Sequence, residues 1–307
     1  DYDPPAGSCP GIQCCADNYA LSYALKRYLE IPDPAVNFSL ILQVNAWWPT
    51  SAHGGDETIA QEADRYASYF AMPTYQKVLG GRPLVFIFGN LASANTSLTT
   101  TALAALRSAA IARLGSAGNP YIAIMGGSAT SAKAFIADFQ LDAVSGYVTQ
   151  RNPTRAAGAP YNLSIAQPES QLWADYSGAG LSVIPPISPG WDPSPREFID
   201  LPWGDQGKSF CVEALGHPCY VQDPTMGELQ AHTAAGVRFA LEHHDDATAA
   251  GSVVIGAWNE NDEGHWIVPS LKHGTQKLEA VQRGIASAYA EYAAIPPRRS
   301  VAAAPRL

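Results

Sequence analysis

The chain has little positive charge and no block of lysine and arginine. Its 19 basic residues stand against 28 acidic ones, for a formal net charge of -9 at pH 7. Proteins that bind nucleic acid or an anionic membrane surface usually cluster basic side chains. The absence of such clusters argues against both partners and favours a neutral ligand.

Long apolar stretches are absent as well. No segment approaches the roughly 18 consecutive apolar residues that a membrane-spanning helix needs. Residues 1–5 lack the basic and apolar regions of a signal peptide, so a leader was either removed or never present. With 47% hydrophobic and 15% charged residues, the chain can bury a large core. This composition predicts one large domain, and we expect a monomer.

Cysteine is scarce, with five residues in the chain. Cys14 and Cys15 are adjacent, but no matching short Cys or His spacing follows, so the pattern does not predict a zinc site. Cys211 and Cys219 form the simplest disulfide pair. Asn-X-Ser/Thr sequons are also present, at Asn37, Asn95 and Asn162. These features favour a secreted protein, and a cytosolic protein with free thiols is the alternative.

Cofactor motifs are missing too. The sequence has neither a glycine-rich phosphate loop nor a G-x-S-x-G nucleophile elbow, because the glycines at 126–127 only form a turn after a strand. The run at 243–246, His-His-Asp-Asp, lies at a predicted helix end, where histidine favours the negative end of the helix dipole. We therefore expect neither a cofactor nor a metal. Four further histidines have no ligand spacing, namely His53, His217, His232 and His273.

The chain does contain a regular alternation of short apolar strands and helical patterns. The predicted strands lie at 38–44, 84–88, 121–125, 143–148, 181–186 and 253–256. The predicted helices lie at 17–29, 56–78, 98–114, 129–139, 165–176, 226–243 and 276–289. Strands that alternate with helices predict an α/β fold with parallel strands. Polar and aromatic residues follow the strand ends so regularly that we favour a (β/α)8 barrel of the TIM type over an open doubly wound sheet.

Six strand–helix units and a leading helix do not fill an eight-stranded barrel. A closed barrel that lost a strand would expose two unpaired edges. We therefore expect that the first one or two strand–helix units fall outside this numbering, and that residues 1–3 are the end of the second strand. Residues 1–295 are predicted to form a single catalytic barrel domain and residues 296–307 an unstructured tail.

In such a barrel the site lies at the carboxyl ends of the strands. The residues there are rich in aromatic rings, amides and carboxylates, a mixture that suits a sugar, because rings stack on its C–H faces and polar groups bind its hydroxyls. Some of the tryptophans, Trp258 especially, have the alternative role of plugging the barrel. The candidate substrate-binding residues are Tyr2, Asp3, Asn45, Trp47, Trp48, Asn90, Arg151, Trp191, Asp192, Trp258, Asn259, His265 and Trp266.

The strongest candidates for catalysis are Glu260 and Glu263, which directly follow the last apolar strand. Glycoside hydrolysis needs one carboxyl group that protonates the departing oxygen and a second that serves as base, nucleophile or charge stabiliser. In a turn, both side chains can face one cavity. Asp262 is then a bystander, and the alternative is that these acids form a solvated loop.

Two stretches carry a resemblance to a known family. Residues 258–269, with Gly274 and residues 278–281, resemble the last barrel strand of the glycoside hydrolase family 99-like group, which includes endo-alpha-mannanases and WbsX-type proteins. Residues 75–88 are similar to the segment that enters that group's fourth strand. The motif around Glu260 and Glu263 is also similar to the family 71 alpha-1,3-glucanases.

The resemblance implies a retaining hydrolase that acts on an alpha-linked polysaccharide. Glu260 would then assist the sugar's own 2-hydroxyl as internal nucleophile, and Glu263 would serve as general acid and base. The sequence departs from the mannanases at Asn261, where they carry an aromatic residue. This departure leaves open a conventional two-carboxylate mechanism that uses Asp3 or Asp192. Two alternatives to hydrolysis also remain: a WbsX-like biosynthetic or carbohydrate-binding protein, and a structural barrel without a sugar site.

Overall fold

The computed structural model describes residues 20–44, 48–49, 51, 57–89, 91, 96–148, 158–198, 219–243 and 249–294. Seven α-helices lie within these ranges: α1 (Ala20–Leu29), α2 (Ile59–Phe70), α3 (Thr96–Leu114), α4 (Ala129–Phe139), α5 (Gln167–Gly178), α6 (Met226–Glu242) and α7 (Gln276–Ala293). A π-helical turn, Asn162–Ala166, leads into α5, and short 3-10 helices occupy Ser116–Gly118 and Ser194–Phe198. All of these helices except α1, which precedes β1, and α7, which follows β9, lie in segments that connect two strands.

The strands form a parallel series. The main sheet has the order β1 (Leu40–Gln43), β3 (Arg82–Phe88), β4 (Tyr121–Met125), β5 (Ala143–Ser145), and the antiparallel β2 (Lys77–Val78) pairs with β3. A parallel bridge between Val144 and Val183 carries the series onward to β6 (Pro186–Ile187), which pairs in parallel with β7 (Val254–Ile255). The series ends in an antiparallel hairpin of β8 (Asn259–Glu260) and β9 (His265–Trp266).

Both faces of the sheet are buried, as parallel strands require. Val85 and Ile87 of β3 pack with the helices in one core cluster, whereas Leu84 and Phe86, the alternate positions, belong to a second cluster. The second cluster also contains Ile184, which lies just before β6. The strands therefore curve around an inner apolar cluster and carry their helices outside, which is the layering of a (β/α) barrel.

One predicted helix is wrong in its extent. The pattern at 56–78 predicted a single helix, but α2 ends at Phe70, and residues 77–78 form β2. Pro73 disfavours helical backbone at the residue before it. Tyr75 then enters the core at 1% exposure, where its hydroxyl donates to the carbonyl of Leu84 at 2.8 Å. Burial of that ring and its hydrogen bond outweigh the helical pattern.

Two sequence expectations concern the environment of the protein. Cys219 is buried and is disulfide-bonded, and its partner lies outside the described residues. The pairing of Cys219 with Cys211 therefore stays a prediction. Among the helices of the described ranges, none is both long enough and apolar enough to cross a membrane.

Candidate functional site

The hairpin of β8 and β9 packs directly against the loop that follows β6. Gly264, in the hairpin turn, has a φ of +70°, and a Cβ there would lie 2.3 Å from the backbone nitrogen of Asp192. Only glycine fits such an approach. The backbone N–H of Asp192 donates to the carbonyl of Glu263 at 2.7 Å and joins the two segments. The acidic residues of the hairpin are therefore held against a second strand end.

Glu263 is the most enclosed of these acids, at 8% exposure. Its Oε2 accepts a hydrogen bond from the Tyr147 hydroxyl at 2.8 Å and lies 2.6 Å from Nε2 of His265. Its Oε1 accepts from the Arg196 guanidinium at 2.5 Å. Burial alone would raise the pKa of Glu263, but the bonds from His265 and Tyr147 and the charge of Arg196 outweigh it and lower that pKa.

His265 is held on both sides of its ring. The side chain is fully buried, and Nδ1 lies 3.0 Å from the carbonyl oxygen of Gly256. A carbonyl only accepts, so Nδ1 carries a proton. On the other side of the ring, Nε2 is hydrogen-bonded to Glu263 Oε2 at 2.6 Å. The rings of Tyr147 and Trp191, at centroid distances of 5.0 and 5.4 Å, fix the imidazole in place.

Glu260 has the opposite environment. It is half-buried and lies across the hairpin from His265. Burial, followed by the negative charge of Glu263, raises the pKa of Glu260, and His265 and Arg196 offset this only in part. When the pKa values of two neighbouring carboxyl groups are moved apart, one group can donate a proton while the other stays ionised.

Arg196 was not among the sequence candidates. It lies in the short 3-10 helix Ser194–Phe198, in a Pro-rich segment that the sequence predicts to be a loop. Its Nε donates to Asp262 Oδ2 at 2.8 Å, and a second nitrogen donates to Glu263. Asp262, which the sequence predicted to be a bystander, therefore fixes the arginine that faces Glu263. The signal that could have found Arg196 is its position shortly after a strand end.

Tyr147 was also missed, although it lies two residues beyond β5. Burial and then the negative charge of Glu263 raise the pKa of its hydroxyl, so it stays protonated and donates to that carboxylate. Its ring tilts against Phe88 at a centroid distance of 4.9 Å. The strand-end rule that selected other residues would have selected Tyr147 if the predicted strand had ended at Ser145.

The loop after β6 supplies Trp191 and Asp192, both predicted site residues. The ring of Trp191 packs beside Tyr161 and against His265. The Asp192 carboxylate accepts from the backbone N–H of Ser194 at 3.1 Å, a local turn that precedes Arg196. The structure thus brings both residues to the hairpin. There, Trp191 packs against the ring of His265, and Asp192 stabilises the turn of its loop.

The predicted sugar-stacking tryptophans differ in their exposure. Trp258 is 53% exposed, so it does not plug the barrel and presents an open ring, next to the exposed Asn259. Trp266 is half-buried, and Nζ of the buried Lys277 lies 3.9 Å from its ring centroid. Trp48 is a correction, because it is 2% exposed in the core cluster between the sheet and the helices and has no face to offer a ligand.

The other predicted site residues lie outside the described residues: Tyr2, Asp3, Asn45, Trp47, Asn90 and Arg151. Within the described ranges, no group of three or more His, Cys, Asp or Glu side chains is arranged to hold a metal. The described side chains that meet at the hairpin are carboxyl groups, one histidine, one arginine and one tyrosine.

Comparison with known proteins gave fold-level neighbours. No protein-family model matches the chain, and no curated protein sequence matches it. The structure of a GH99 endo-alpha-mannosidase from Bacteroides thetaiotaomicron, in complex with bis-tris-propane, aligns with a TM-score of 0.50 and 16% identity over 90% of this chain and 75% of that chain. This chain shares the fold of that mannosidase.

A second structure of the enzyme from the same organism aligns with a TM-score of 0.47 and 15% identity over 90% of this chain and 71% of that chain. The first of these structures, with the TM-score of 0.50, is a (β/α)8 barrel, so the predicted barrel class and the GH99-like resemblance are confirmed for the fold. The predicted domain boundary and the absence of the first strand–helix units stay predictions.

Proposed function

We propose that this chain is a retaining glycoside hydrolase that cleaves a polysaccharide or oligosaccharide with Glu260 and Glu263 as its catalytic carboxylates. The observation that carries this proposal is the pair of acids on one hairpin, at the end of the strand series, whose pKa values are moved in opposite directions. Such a pair supplies both roles that glycoside hydrolysis demands. The fold shared with an endo-alpha-mannosidase supports it.

The hydrogen bonds favour a definite division of labour. Glu263 accepts hydrogen bonds from Tyr147 and Arg196 and is hydrogen-bonded to His265. This environment stabilises its ionised form. We assign to it the role of nucleophile, or of base toward the sugar's 2-hydroxyl. Glu260, whose proton is retained more readily, protonates the departing oxygen. This assignment reverses the roles that the family resemblance implies for the two residues.

Leaving-group dependence tests the division. A substrate with an activated aryl leaving group needs little proton donation in the first step, so Glu260→Gln should retain most of its kcat/KM on that substrate while losing kcat/KM on a natural glycan. Glu263→Gln should lose activity on both substrates. Glu242→Gln, an exposed acid on α6, is the matched control. If Glu263→Gln is the variant that the activated substrate restores, the roles are those of the family resemblance. If both variants keep wild-type rates, the hydrolase proposal is wrong.

One observation favours a second candidate function. The same three contacts that hold Glu263 ionised also occupy most of its lone pairs, which suits a WbsX-like or carbohydrate-binding protein that does not hydrolyse glycosides. That candidate predicts oligosaccharide binding by the wild-type chain without any release of reducing sugar across a broad panel of glycans. Turnover of any glycan in the panel decides for the hydrolase.

The cellular setting is part of the proposal. We propose that the protein is secreted and monomeric and that Cys219 pairs with Cys211. The disulfide bond at Cys219 supports export, because disulfides persist in oxidising compartments. Peptide mapping under non-reducing conditions should recover a linked peptide that contains both cysteines, and size-exclusion chromatography with light scattering should give the mass of one chain.

A further inference from the structure

A cavity of about 380 Å³ lies over the carboxyl ends of β3, β4 and β5. Its volume is at the low end of the range of about 300–1,000 Å³ in which proteins hold small molecules. One monosaccharide unit fits a space of this size. The cavity is lined by Phe88, Met125, Gly126, Gly127, Gly146, Tyr147, Val148, Leu172 and Tyr176.

Tyr147 connects this cavity to the candidate catalytic acids. Its ring lines the cavity, and its hydroxyl donates to Glu263 Oε2 at 2.8 Å. A group in the cavity therefore lies one side chain away from that carboxylate. Such a position suits a substituent of the sugar at or next to the cleaved bond.

The wall of the cavity offers few partners for a sugar hydroxyl. None of the nine lining residues that the structure describes is charged. Its two hydroxyl groups are committed, because Tyr147 donates to Glu263 and Tyr176 donates to the carbonyl of Gly127 at 2.6 Å. The backbone N–H of Gly126 donates to the carbonyl of Ser145 at 2.9 Å. Among the described side chains, a sugar hydroxyl here would find no uncommitted donor to replace the hydrogen bonds that it gives up to water.

The remaining side chains are apolar or aromatic. Phe88, Met125, Val148 and Leu172 supply the sides, and a Cβ at Gly126 would meet nothing within 4 Å. The missing side chain at Gly126 thus leaves the cavity open where the chain turns out of β4. Apolar walls of this kind gain free energy by covering methyl groups.

We propose that this cavity is a subsite for a methyl-bearing sugar, in which the methyl group points toward Phe88 and Leu172. The methyl can be that of a 6-deoxyhexose or that of an O-acetyl group, and both offer the same apolar surface. This inference rests on the proposed function for its link to a cleaved bond. It adds that the substrate is a deoxy or acetylated glycan and not a polymer of unsubstituted hexoses.

Binding to the Glu260→Gln variant tests the proposal without turnover. The probes are matched pairs: methyl 6-deoxy-alpha-D-mannoside against methyl alpha-D-mannoside, and methyl alpha-L-fucoside against methyl alpha-L-galactoside. Methyl 6-O-acetyl-alpha-D-mannoside forms the third arm. By isothermal titration or ligand-observed NMR, each deoxy sugar should bind about tenfold more tightly than its 6-hydroxy parent, because the parent buries an unpaired hydroxyl. The acetyl arm distinguishes the two sources of the methyl group.

Two variants test the site itself. Val148→Thr places a hydroxyl in the cavity with almost no change of shape, and Leu172→Gln places an amide there. Each should reduce the preference for the methyl-bearing sugar to about threefold or less, because the hydroxyl of the parent gains a partner. Leu163→Gln, at a leucine that is 60% exposed and does not line the cavity, is the control and should leave the preference unchanged.

The outcomes separate this proposal from the proposed function. Equal binding within each matched pair, no binding of any probe, or a preference that survives both cavity variants overturns the subsite. Val148→Thr answers the question if Leu172→Gln fails to fold. Hydrolysis plays no part in these binding measurements. If the Glu260→Gln variant prefers the methyl-bearing sugars but the wild-type chain turns over no glycan, the subsite is upheld and the hydrolase is rejected.

Discussion

Two glutamate–histidine pairs are buried in the part of the chain that the structure describes, and they have different surroundings. Glu169 lies 3.1 Å from His232, and Glu263 lies 2.6 Å from His265. Each pair has a tyrosine hydroxyl beside it, from Tyr161 and from Tyr147. The residue types alone would assign the same chemistry to both.

The Glu169 pair is deeply buried, and His232 also lies on the wall of a cavity between α5 and α6. Glu169 is 0% and His232 3% exposed. The two carboxylate oxygens accept from the hydroxyl and the backbone N–H of Ser188, at 2.5 and 3.0 Å, and Trp173 stacks on the histidine ring. Because Ser188 directly follows β6, this network attaches α5 and α6 to the end of that strand. Its role is to hold the strand end in place.

The acid near each pair differs in what it does. Glu228 shares a cavity wall with His232 but caps α6, because it accepts from the backbone N–H and the hydroxyl of Thr225. The Glu263 pair has a different neighbour. A second carboxyl group, Glu260, stands across the hairpin, half-buried and with its pKa raised. Arg196, whose side chain is 20% exposed, adds a positive charge. The comparison shows that a buried Glu–His pair is not by itself a sign of catalysis. The difference is a neighbouring acid, Glu260, that lies directly across the hairpin from the histidine and does not serve as a helix cap.

The largest expected effect separates the two pairs by activity. Glu263→Gln should lower kcat/KM on the true glycan by about 100-fold to 10,000-fold, because it removes a charge needed in the transition state. Glu169→Gln should change the rate of the folded protein less than about threefold. A folded Glu169→Gln enzyme as inactive as Glu263→Gln would erase the distinction between the pairs.

The next largest effect is on stability. Glu169→Ala removes a fully buried carboxylate that accepts two hydrogen bonds from Ser188 and lies 3.1 Å from His232, and it should lower the free energy of unfolding by about 3–5 kcal/mol. The measurement is urea denaturation followed by circular dichroism. Glu242→Ala, at an exposed position of α6, should stay within about 0.5 kcal/mol of the wild type. A loss at Glu169 as small as that of this control would show that the network does not hold β6.

The pH dependence follows from the two directions of pKa shift. Activity needs Glu263 ionised and Glu260 protonated, so the rate should fall below the lowered pKa of Glu263 and above the raised pKa of Glu260. A bell-shaped profile of kcat/KM is expected, and its two limbs should bracket the ordinary carboxyl value of 4.5. A profile that is flat from that value to neutrality contradicts the assignment of Glu260 as the proton donor.

The same shifts set opposite linkages to stability. Glu263, whose pKa is lowered on folding, stabilises the protein above its unfolded pKa, and this contribution is lost as the pH falls through the folded value. Glu260, whose pKa is raised, stabilises it at low pH, and this contribution is lost as the pH rises. The two contributions partly offset each other in the wild-type protein, so Glu263→Gln or Glu260→Gln leaves the pH dependence of the other carboxyl group uncompensated.

The smallest expected effect concerns Asp262. Its negative charge raises the pKa of Glu260, so Asp262→Asn should move the basic limb of the profile to lower pH. The variant also frees Arg196 from its bond to Asp262, which acts in the same direction on Glu260. The rate at the optimum should fall less than about tenfold, since neither catalytic carboxyl is removed. If the basic limb of the Asp262→Asn profile is unchanged, that limb does not report the pKa of Glu260.

Regular elements followed closely from local pattern. The predicted strand at 121–125 and helix at 129–139 match β4 and α4 residue for residue. Both have apolar spacing that agrees with their burial, so local and global preferences coincide. The helix predicted at 56–78 went wrong where Tyr75 was drawn into the core, because burial of a ring exceeds a few tenths of a kcal/mol of helix propensity per residue.

The partners of the candidate acid were beyond the reach of local pattern. Tyr147 and Arg196 are 116 and 67 positions away from Glu263 in the chain. No periodicity links such positions, and each lies in a segment that reads as a strand or a loop. Trp48 shows the converse, since a strand-end aromatic that suits a sugar is packed at 2% exposure under the helices.

The sequence by itself determined the alternation of strands and helices, the barrel class and the two acids of the last hairpin, because these depend on spacing along a short stretch. Only the tertiary structure decided which buried Glu–His pair stands beside a second carboxyl group and which one fastens a strand. It also moved the pKa values of Glu260 and Glu263 apart. The reason is physical: burial and the field of distant charges depend on which segments meet in space, and no single segment encodes that meeting.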